Sequence, residues 1–328
     1  MRALVTGATG FIGSHLCRAL IARGHSVRAF HRPTSPLVAL GGAPVERVVG
    51  DVLDATSLRP AMKDVDWVFH AAGPALAWGK PDALVETIVR GTVNVLRAAE
   101  EASVRRVVFT SSIAALGVPV DGALLDERHR FECPPGGWPY GHAKSEAEDE
   151  VRAAVARGLE CVIVNPSAVF GAADVNRVAG TLILIVARRR LPIVTQGGLN
   201  VVHVSDVASG HLAAAERGRP GERYILGGEN RSHAEIARII AAELRVRPPR
   251  WTLAPGLVDR VAMAVDLVSG IARLPYNGDL LRLSRYRFYC DTAKARHELG
   301  LGAPLPFAQA VRDAVAWYRS HGYLGGAS

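Results

Sequence analysis

Tyr140-Gly141-His142-Ala143-Lys144 sets a phenol and an ammonium four residues apart. On a helix such positions share a face, so the two side chains can converge. A free phenol has a pKa of about 10 and is a poor acid or base near neutral pH. An ammonium ~5 Å away at an effective dielectric near 20 contributes roughly 3 kcal/mol, which lowers that pKa by about two units. The pair is therefore expected to act as a general acid–base group, Tyr140 reacting and Lys144 tuning it. Thr110-Ser111-Ser112 supplies hydroxyls that could hold a substrate oxygen beside the phenol. Each signal alone has an ordinary reading, as surface groups on one helix or as a Ser pair capping a turn.

A third stretch gives the pair something to work with. Thr6-Gly7-Ala8-Thr9-Gly10-Phe11-Ile12-Gly13 follows the apolar run Ala3-Leu4-Val5 and opens an amphipathic run to Ala22. Strand, glycine turn and helix is the local reading, and it suits a dinucleotide. Gly7 allows the tight turn, Gly10 lets a pyrophosphate approach backbone N–H groups, and Gly13 lets helix and strand pack closely. The residues after the second strand choose the cofactor. An acid there would favour NAD, but His31-Arg32 stands there and no acid follows until Glu46. Arg32 can fork onto a ribose 2′-phosphate, so NADP(H) is expected over NAD(H).

These groups need a frame. Apolar strands are predicted at 2–6, Ser26–Phe30, Val45–Val49, Trp67–Ala72, Arg106–Thr110 and Glu160–Val164. Helices are predicted near Phe11–Ala22, Ala55–Met62, Pro81–Glu101 and Tyr140–Ala156. Alternating strands and helices imply an α/β fold, a doubly wound parallel Rossmann sheet with right-handed crossovers. Ser111 and Ser112 then fall at the carboxyl edge, where such sheets place ligands. Residues 1–167 are expected to form the dinucleotide-binding domain, with 201–222 returning to it. Residues 168–328 are expected to form mainly a smaller, interleaved substrate domain. In it lie apolar helix Val178–Ala187, strand Glu222–Leu226, a helix from cap Ser232 to Leu244 and a last helix, Pro306–Ser320. The stretch Leu257 to Leu274 reads as a lid, a membrane-surface helix or, by preference, a helix buried against the rest.

The 328 residues are 49% hydrophobic and 21% charged, which is ordinary for a globular protein. No apolar run approaches the ~20 residues that span a bilayer, and the first strand begins too early for a signal peptide. A cytoplasmic location is expected. The charge of +8 is nearly all arginine, scattered without aromatic interleaving, which argues against a nucleic-acid platform. Cys17, Cys133, Cys161 and Cys290 form no C-x-x-C and read as reduced structural thiols, and no metal site is expected.

Over essentially its whole length the chain resembles the extended short-chain dehydrogenase/reductase family. The resemblance is carried by Thr6–Gly13, Gly50-Asp51, His70-Ala71-Ala72, Thr110–Ser112, Tyr140/Lys144, Asn165-Pro166-Ser167 and Val202–Asp206. Asn165–Gly171, Gly221–Gly228 and the ending Trp317-Tyr318 … His321–Leu324 are similar to the dihydroflavonol-4-reductase-like branch, nearest its hopanoid-associated sugar epimerase type. The resemblance implies roles. Ser112, rather than Ser111, matches the catalytic hydroxyl, Tyr140 the proton donor or acceptor, and Lys144 its tuner and ribose ligand. Gly7, Thr9, Gly10, Phe11, Ile12 and Gly13 would cradle the cofactor. Asp51 and Val52 would meet the adenine, and Ala71, Ala72 and Gly73 would line the site. Pro166 and Ser167 would back the nicotinamide. One departure stands out: Ile88 occupies the place of a frequent family Asn, and Asn94 is not expected to replace it.

The sequence therefore predicts an NADP(H)-dependent reductase of a ketone or aldehyde on a fairly apolar small molecule. The alternatives are a nucleotide-sugar epimerase or dehydratase with tightly held NAD, and a non-catalytic dinucleotide sensor. A homodimer is expected through Pro81–Glu101 and Tyr140–Ala156, from the stripe Val85, Val89, Val93 and Leu96. Glu146, Glu148, Asp149 and Glu150 put charge on the second of those helices. Trp78, Trp138, Arg128, His129 and Arg130 are loop residues within reach of a substrate, and His203 is expected to be structural.

Overall fold

The computed structural model describes residues 1–74, 81–119, 122–132, 138–177, 180–189, 191, 193–269 and 278–324. Trp78, Cys133, Val178, Arg190 and residues 270–274 lie outside them. Six parallel strands come first: β1 (Arg2–Thr6), β2 (Ser26–His31), β3 (Glu46–Val49), β4 (Trp67–His70), β5 (Arg106–Thr110) and β6 (Cys161–Pro166). Between them run α1 (Phe11–Ala22), α2 (Ala55–Met62), α3 (Pro81–Val85), α4 (Gly91–Glu101) and α5 (Pro139–Ala156). Next come β7 (Ala168–Phe170), α6 (Gly180–Ala187), β8 (Ile193–Thr195), β9 (Gly198–His203), α7 (Val204–Arg217) and β10 (Arg223–Leu226). The chain ends with β11 (Glu229–Ser232), α8 (His233–Leu244), β12 (Trp251–Leu253), α9 (Pro255–Ser269), α10 (Gly278–Leu283), β13 (Arg287–Phe288), α11 (Ala293–Glu298) and α12 (Phe307–Ser320).

The large sheet has seven parallel strands in the order β10-β6-β5-β4-β1-β2-β3. It is the doubly wound Rossmann sheet. Its inner strands are buried on both faces, and alternate residues feed two cores. Val5 and Phe69 join Leu16, Leu20, Val207 and Leu212 of α1 and α7. Leu4 and Val68 join Leu58, Val95, Ala147 and Val151 of α2, α4 and α5. The crossover from β1 to β4 passes through β2 and β3 and leaves a switch point at the carboxyl ends of β1 and β4, where α/β sheets bind ligands.

A second sheet is centred on β9, which pairs with β11, β13 and β7; β12 pairs with β8. Residues 201–203 belong to this second sheet. The return to the large sheet runs through α7, packed on α1, and β10, paired in register with β6.

Four expectations change. The strand predicted over Trp67–Ala72 stops at His70, beyond which the Ala72 N–H donates to the Thr6 hydroxyl rather than to a strand carbonyl. The long helix predicted over Pro81–Glu101 is interrupted by a π-helical turn, Glu86–Arg90, a device common at functional sites. The outward arc of α9 is not buried: Leu257, Val261, Met263 and Leu267 are 45%, 39%, 66% and 76% exposed. Among its described residues, the buried ones are Val258 and Ala262. The stripe expected to face a second copy is partly spent inside the protomer, where Val89 and Leu96 are buried in the α2–α4–α5 core. Among the described residues no helix is long and apolar enough to cross a membrane.

Candidate active site

The glycine turn after β1 is closed by Gly10 N–H donating to the Gly7 carbonyl at 2.9 Å, and Gly7 has φ +67°. A Cβ on Gly7 would stand 2.7 Å from the Ala71 carbonyl oxygen, and one on Gly13 would stand 2.1 Å from that of Gly7. Gly10 begins α1 without a side-chain cap, so the first N–H groups of the helix are left for an anion. Thr9 and Phe11 are buried beside it and Ile12 is half-buried. Asp51 accepts from the Leu53 N–H at 3.0 Å, which fixes the bend after β3, and Val52 packs over Gly91. Arg32 is exposed just past β2; His31 beside it is buried, with Nε2 unpartnered. Pro166 ends β6, and next to it Ser167 is buried with its hydroxyl unpartnered, as is Asn165 Oδ1. An uncapped helix start, a cradle that any Cβ would fill and orphaned buried oxygens fit a dinucleotide.

Ser112, Tyr140 and Lys144 converge at the end of β5. The Ser112 hydroxyl lies beside the Tyr140 phenol and acts to lower its pKa, and Ser112 Oγ accepts from the Ala114 N–H at 3.2 Å. Lys144 is buried, donates from Nζ to the Thr110 carbonyl at 2.9 Å and lies 5.2 Å from the centre of the Phe109 ring. Nζ sits 3.8 Å from where a Gly73 Cβ would be, and Ala71 and Ala72 press against the glycine turn at Gly7. One expectation is reversed here. Burial pushes the Tyr140 phenol up to about 12, and the Ser112 hydroxyl only opposes this. The ammonium expected to lower that pKa is bound to a carbonyl, and burial pulls Lys144 itself down to about 8. Desolvation outweighs the charge pair.

Two buried networks support this group, and sequence reasoning missed both. In the first, the Ala72 N–H donates to Thr6 Oγ1 (3.3 Å), whose hydroxyl donates to His70 Nδ1 (2.7 Å). His70 Nε2–H donates to Thr92 Oγ1 (3.1 Å), which donates to the Ile88 carbonyl (2.6 Å). The chain ties the ends of β1 and β4 to the π-helical turn, and burial holds His70 neutral at about 3. Ile88, standing where the family often has Asn, is buried in the core, while Asn94 donates to the Val52 carbonyl at 3.0 Å. The second network centres on Glu148, a buried carboxylate met by Ser111, Asn165, Arg152 and Arg223. Ser111 therefore faces away from Tyr140, and Ser112 faces toward it.

A model of the NAD dependent epimerase/dehydratase family matches residues 3–227, from β1 to the end of β10. The chain belongs to this family. Its members include the extended short-chain dehydrogenase/reductases, and the protein is an NAD(P)-dependent oxidoreductase of that type. The chain is similar to a putative dihydroflavonol 4-reductase of Synechocystis sp., 37% identical with 98% of this chain and 95% of that one covered. It is also 37% identical to sterol demethylase protein B of Methylococcus capsulatus, covering 99% of this chain and 100% of that protein. Among solved structures it resembles a nucleoside-diphosphate-sugar epimerase from Pseudomonas aeruginosa, with a TM-score of 0.84, 27% identity and 99% of both chains covered.

Apolar groups gather beside Ser112. Ile113 and Leu116 follow Ser112 in a 3₁₀ turn and pack with Leu125, Ile225, Phe288 and half-buried Trp138. Trp138 meets Phe288 edge to face at 5.5 Å. Arg128 and Arg130 line a cavity of about 600 Å³ with His142, Glu146 and Asp149 and with Arg152 and Arg223, the two arginines that bind Glu148. His129 turns instead to Asp126. His203 caps α7, accepting from the Ser205 N–H and donating to Asp313.

Proposed function

We propose that the protein is an NADP(H)-dependent reductase of a ketone or aldehyde on a fairly apolar small molecule. The carrying observation is the convergence of Ser112 and Lys144 at the end of β5 beside a phenol kept protonated, the form that carbonyl reduction consumes. Bound NADPH would supply the hydride. Gly7, Gly10 and the first N–H groups of α1 would hold the pyrophosphate, and Thr9, Phe11, Ile12 and Gly13 would shape that cradle. Asp51 and Val52 would meet the adenine. Ala71, Ala72 and Gly73 on one side and Pro166 and Ser167 on the other would enclose the nicotinamide. Ser112 would hold the carbonyl oxygen while Tyr140 gives it a proton. The Lys144 ammonium would hold the nicotinamide ribose and favour return of a proton to the phenol. Arg32, exposed and with no acid beside it, favours the 2′-phosphate.

The apolar cluster of Ile113, Leu116, Trp138 and Phe288 beside Ser112 supports an apolar substrate. The relatives named as reductase and demethylase suit the same reading. An epimerase with tightly held NAD is the second reading, favoured by the likeness to the sugar epimerase of known structure. Purification without added cofactor, denaturation and assay of the released nucleotide tests both. Little bound nucleotide and NADPH oxidation across a ketone and aldehyde panel are expected. Stoichiometric NAD that survives dialysis, with no NADPH oxidation, would overturn the reductase. We place the enzyme in the cytoplasm as a homodimer, resting on the half-buried Val85 and Val93 of the α3–α4 face. A 34.9-kDa particle by light scattering at micromolar protein would exclude the dimer.

A further inference from the structure

Tyr140, Lys144 and Glu148 follow one another at four-residue spacing along α5, so they form a single inward stripe. The first two belong to the proposed reacting group. The third, fully buried, has no part in hydride or proton transfer. A buried carboxylate is costly unless every oxygen lone pair finds a donor. Here each one does. Oε1 accepts from Ser111 Oγ at 2.6 Å and Asn165 Nδ2 at 2.7 Å. Oε2 accepts from Arg223 Nε at 2.5 Å and Arg152 at 3.1 Å.

Two of these partners lead back to the site. The Asn165 amide that binds Glu148 also donates to the Ser112 carbonyl at 3.0 Å, and Ser111 is the residue before Ser112. Glu148 thus holds the end of β5 from behind, at the residue that positions the Tyr140 hydroxyl. Along α5 it lies one turn beyond Lys144. The titratable groups around that ammonium are Tyr140 and Glu148 on α5 and His70 at the end of β4, the last kept neutral by burial. The charges facing Glu148 are Arg152 on α5 and Arg223 on β10.

We propose that Glu148 is a positioning residue, which fixes Ser112 through Asn165 and Ser111 and sets a carboxylate one helical turn beyond the Lys144 ammonium. This rests on the reading of Ser112, Tyr140 and Lys144 as the reacting group. Burial lowers Lys144 to about 8, and the Glu148 charge opposes that fall. Glu148→Gln keeps the size and removes the charge, so Lys144 should lose its proton at lower pH.

The chain has four lysines, so ¹³C-labelled lysine gives an NMR titration in which Lys144 is assigned by its loss in Lys144→Met. Lys144 should titrate near 8 in the unaltered protein and about one unit lower in Glu148→Gln, equivalent to about a tenfold change in the ratio of ammonium to amine and about a threefold loss of the ammonium form at pH 7.5. NADPH-dependent turnover at pH 7.5 should fall several-fold and recover below pH 6.5, with the cofactor KM little changed. Glu148→Asp keeps the charge and should titrate as the unaltered protein does, with activity within about tenfold of it.

The NMR titration needs no substrate, so failure to find any reductase activity would leave it to decide this point alone. An unmoved Lys144 titration in folded Glu148→Gln overturns the proposal. If Glu148→Gln does not fold, loss of more than about tenfold in Glu148→Asp with Lys144 unmoved overturns it. Recovery within tenfold sustains it.

Discussion

Lys144 gives a hydrogen bond to the Thr110 carbonyl, 2.9 Å away at the end of β5, and not to the phenol four residues before it. The ammonium thereby braces the strand that carries Ser112. Its site removes water from a charge and returns one carbonyl and the Glu148 carboxylate one turn on. Stability is spent here for chemistry, and the following outcomes measure how much.

Lys144→Met should stabilise the protein while abolishing turnover. The folded pKa of about 8 lies below the ordinary lysine value, so folding must bear a charge it disfavours at every pH below about 8. That cost shrinks as pH rises from about 8 to about 10.5, where the unfolded chain also loses the proton. Against it stands the lost bond to Thr110, so the net gain is about 1–2 kcal/mol near neutrality. Thermal melts at pH 7 and pH 10 check this. The variant should melt a few degrees higher at pH 7, and the advantage should fade at pH 10.

Tyr140→Phe should leave cofactor binding near normal and reduce turnover by at least ~10²-fold, the usual size of a lost general acid. Stopped-flow binding and steady-state assays separate the two effects. Unchanged turnover would remove the phenol from the mechanism.

Arg32→Ala should weaken NADPH about 10- to 150-fold and hardly change NADH. This corresponds to a lost charged contact of roughly 1.5–3 kcal/mol. Titration calorimetry with both cofactors checks it; equal affinities in the unaltered protein would show that Arg32 faces solvent.

Acid should unfold the protein through its buried imidazoles. His70 is held neutral at about 3 and His211 at about 4, both far below the ordinary value of 6.5. The unfolded chain therefore takes up protons that the folded one refuses, and stability present above pH 6.5 is lost as pH falls toward 4. Each shift exceeds two units, about 3 kcal/mol apiece, and the two together approach the whole stability of an ordinary domain. Melting temperatures measured from pH 7 to pH 4 should drop steeply, and a flat profile would contradict it.

Much of this was legible in the chain, for physical reasons. Strands β1, β2 and β5 are short apolar runs bounded by Gly, Pro or polar turns, and α8 has its cap written in Ser232 and Glu235, which form a capping box. Tyr140 and Lys144 are four apart on one helix, and local spacing reports that directly. What escaped depends on contacts between distant segments. Glu148 looked like one charge among four on a helix face; Asn165 and Arg223, which bury it, lie 17 and 75 residues away. The phenol's raised pKa comes from burial, which spacing does not record. Asn94 was set aside because it faces away from the Ile88 position, yet it holds the bend at Val52. The outward apolar arc of α9 was read as buried because amphipathic helices usually turn that face inward.

The seventh strand of the large sheet is made last. β10 joins β6 only after more than fifty intervening residues have built the centre of the second sheet. A ribosome that has released residues 1–167 has therefore released a sheet whose edge is β6, with Val162 and Val164 still awaiting the cover of α7. Such an edge pairs readily with any other extended chain. Glu148 at that moment has no Arg223, and Arg106 lacks the Ala215 and Gly218 carbonyls that receive it later. The nascent chain is thus most exposed to misassembly between those two points of its synthesis, and the late strand seals the edge and neutralises the carboxylate in one step.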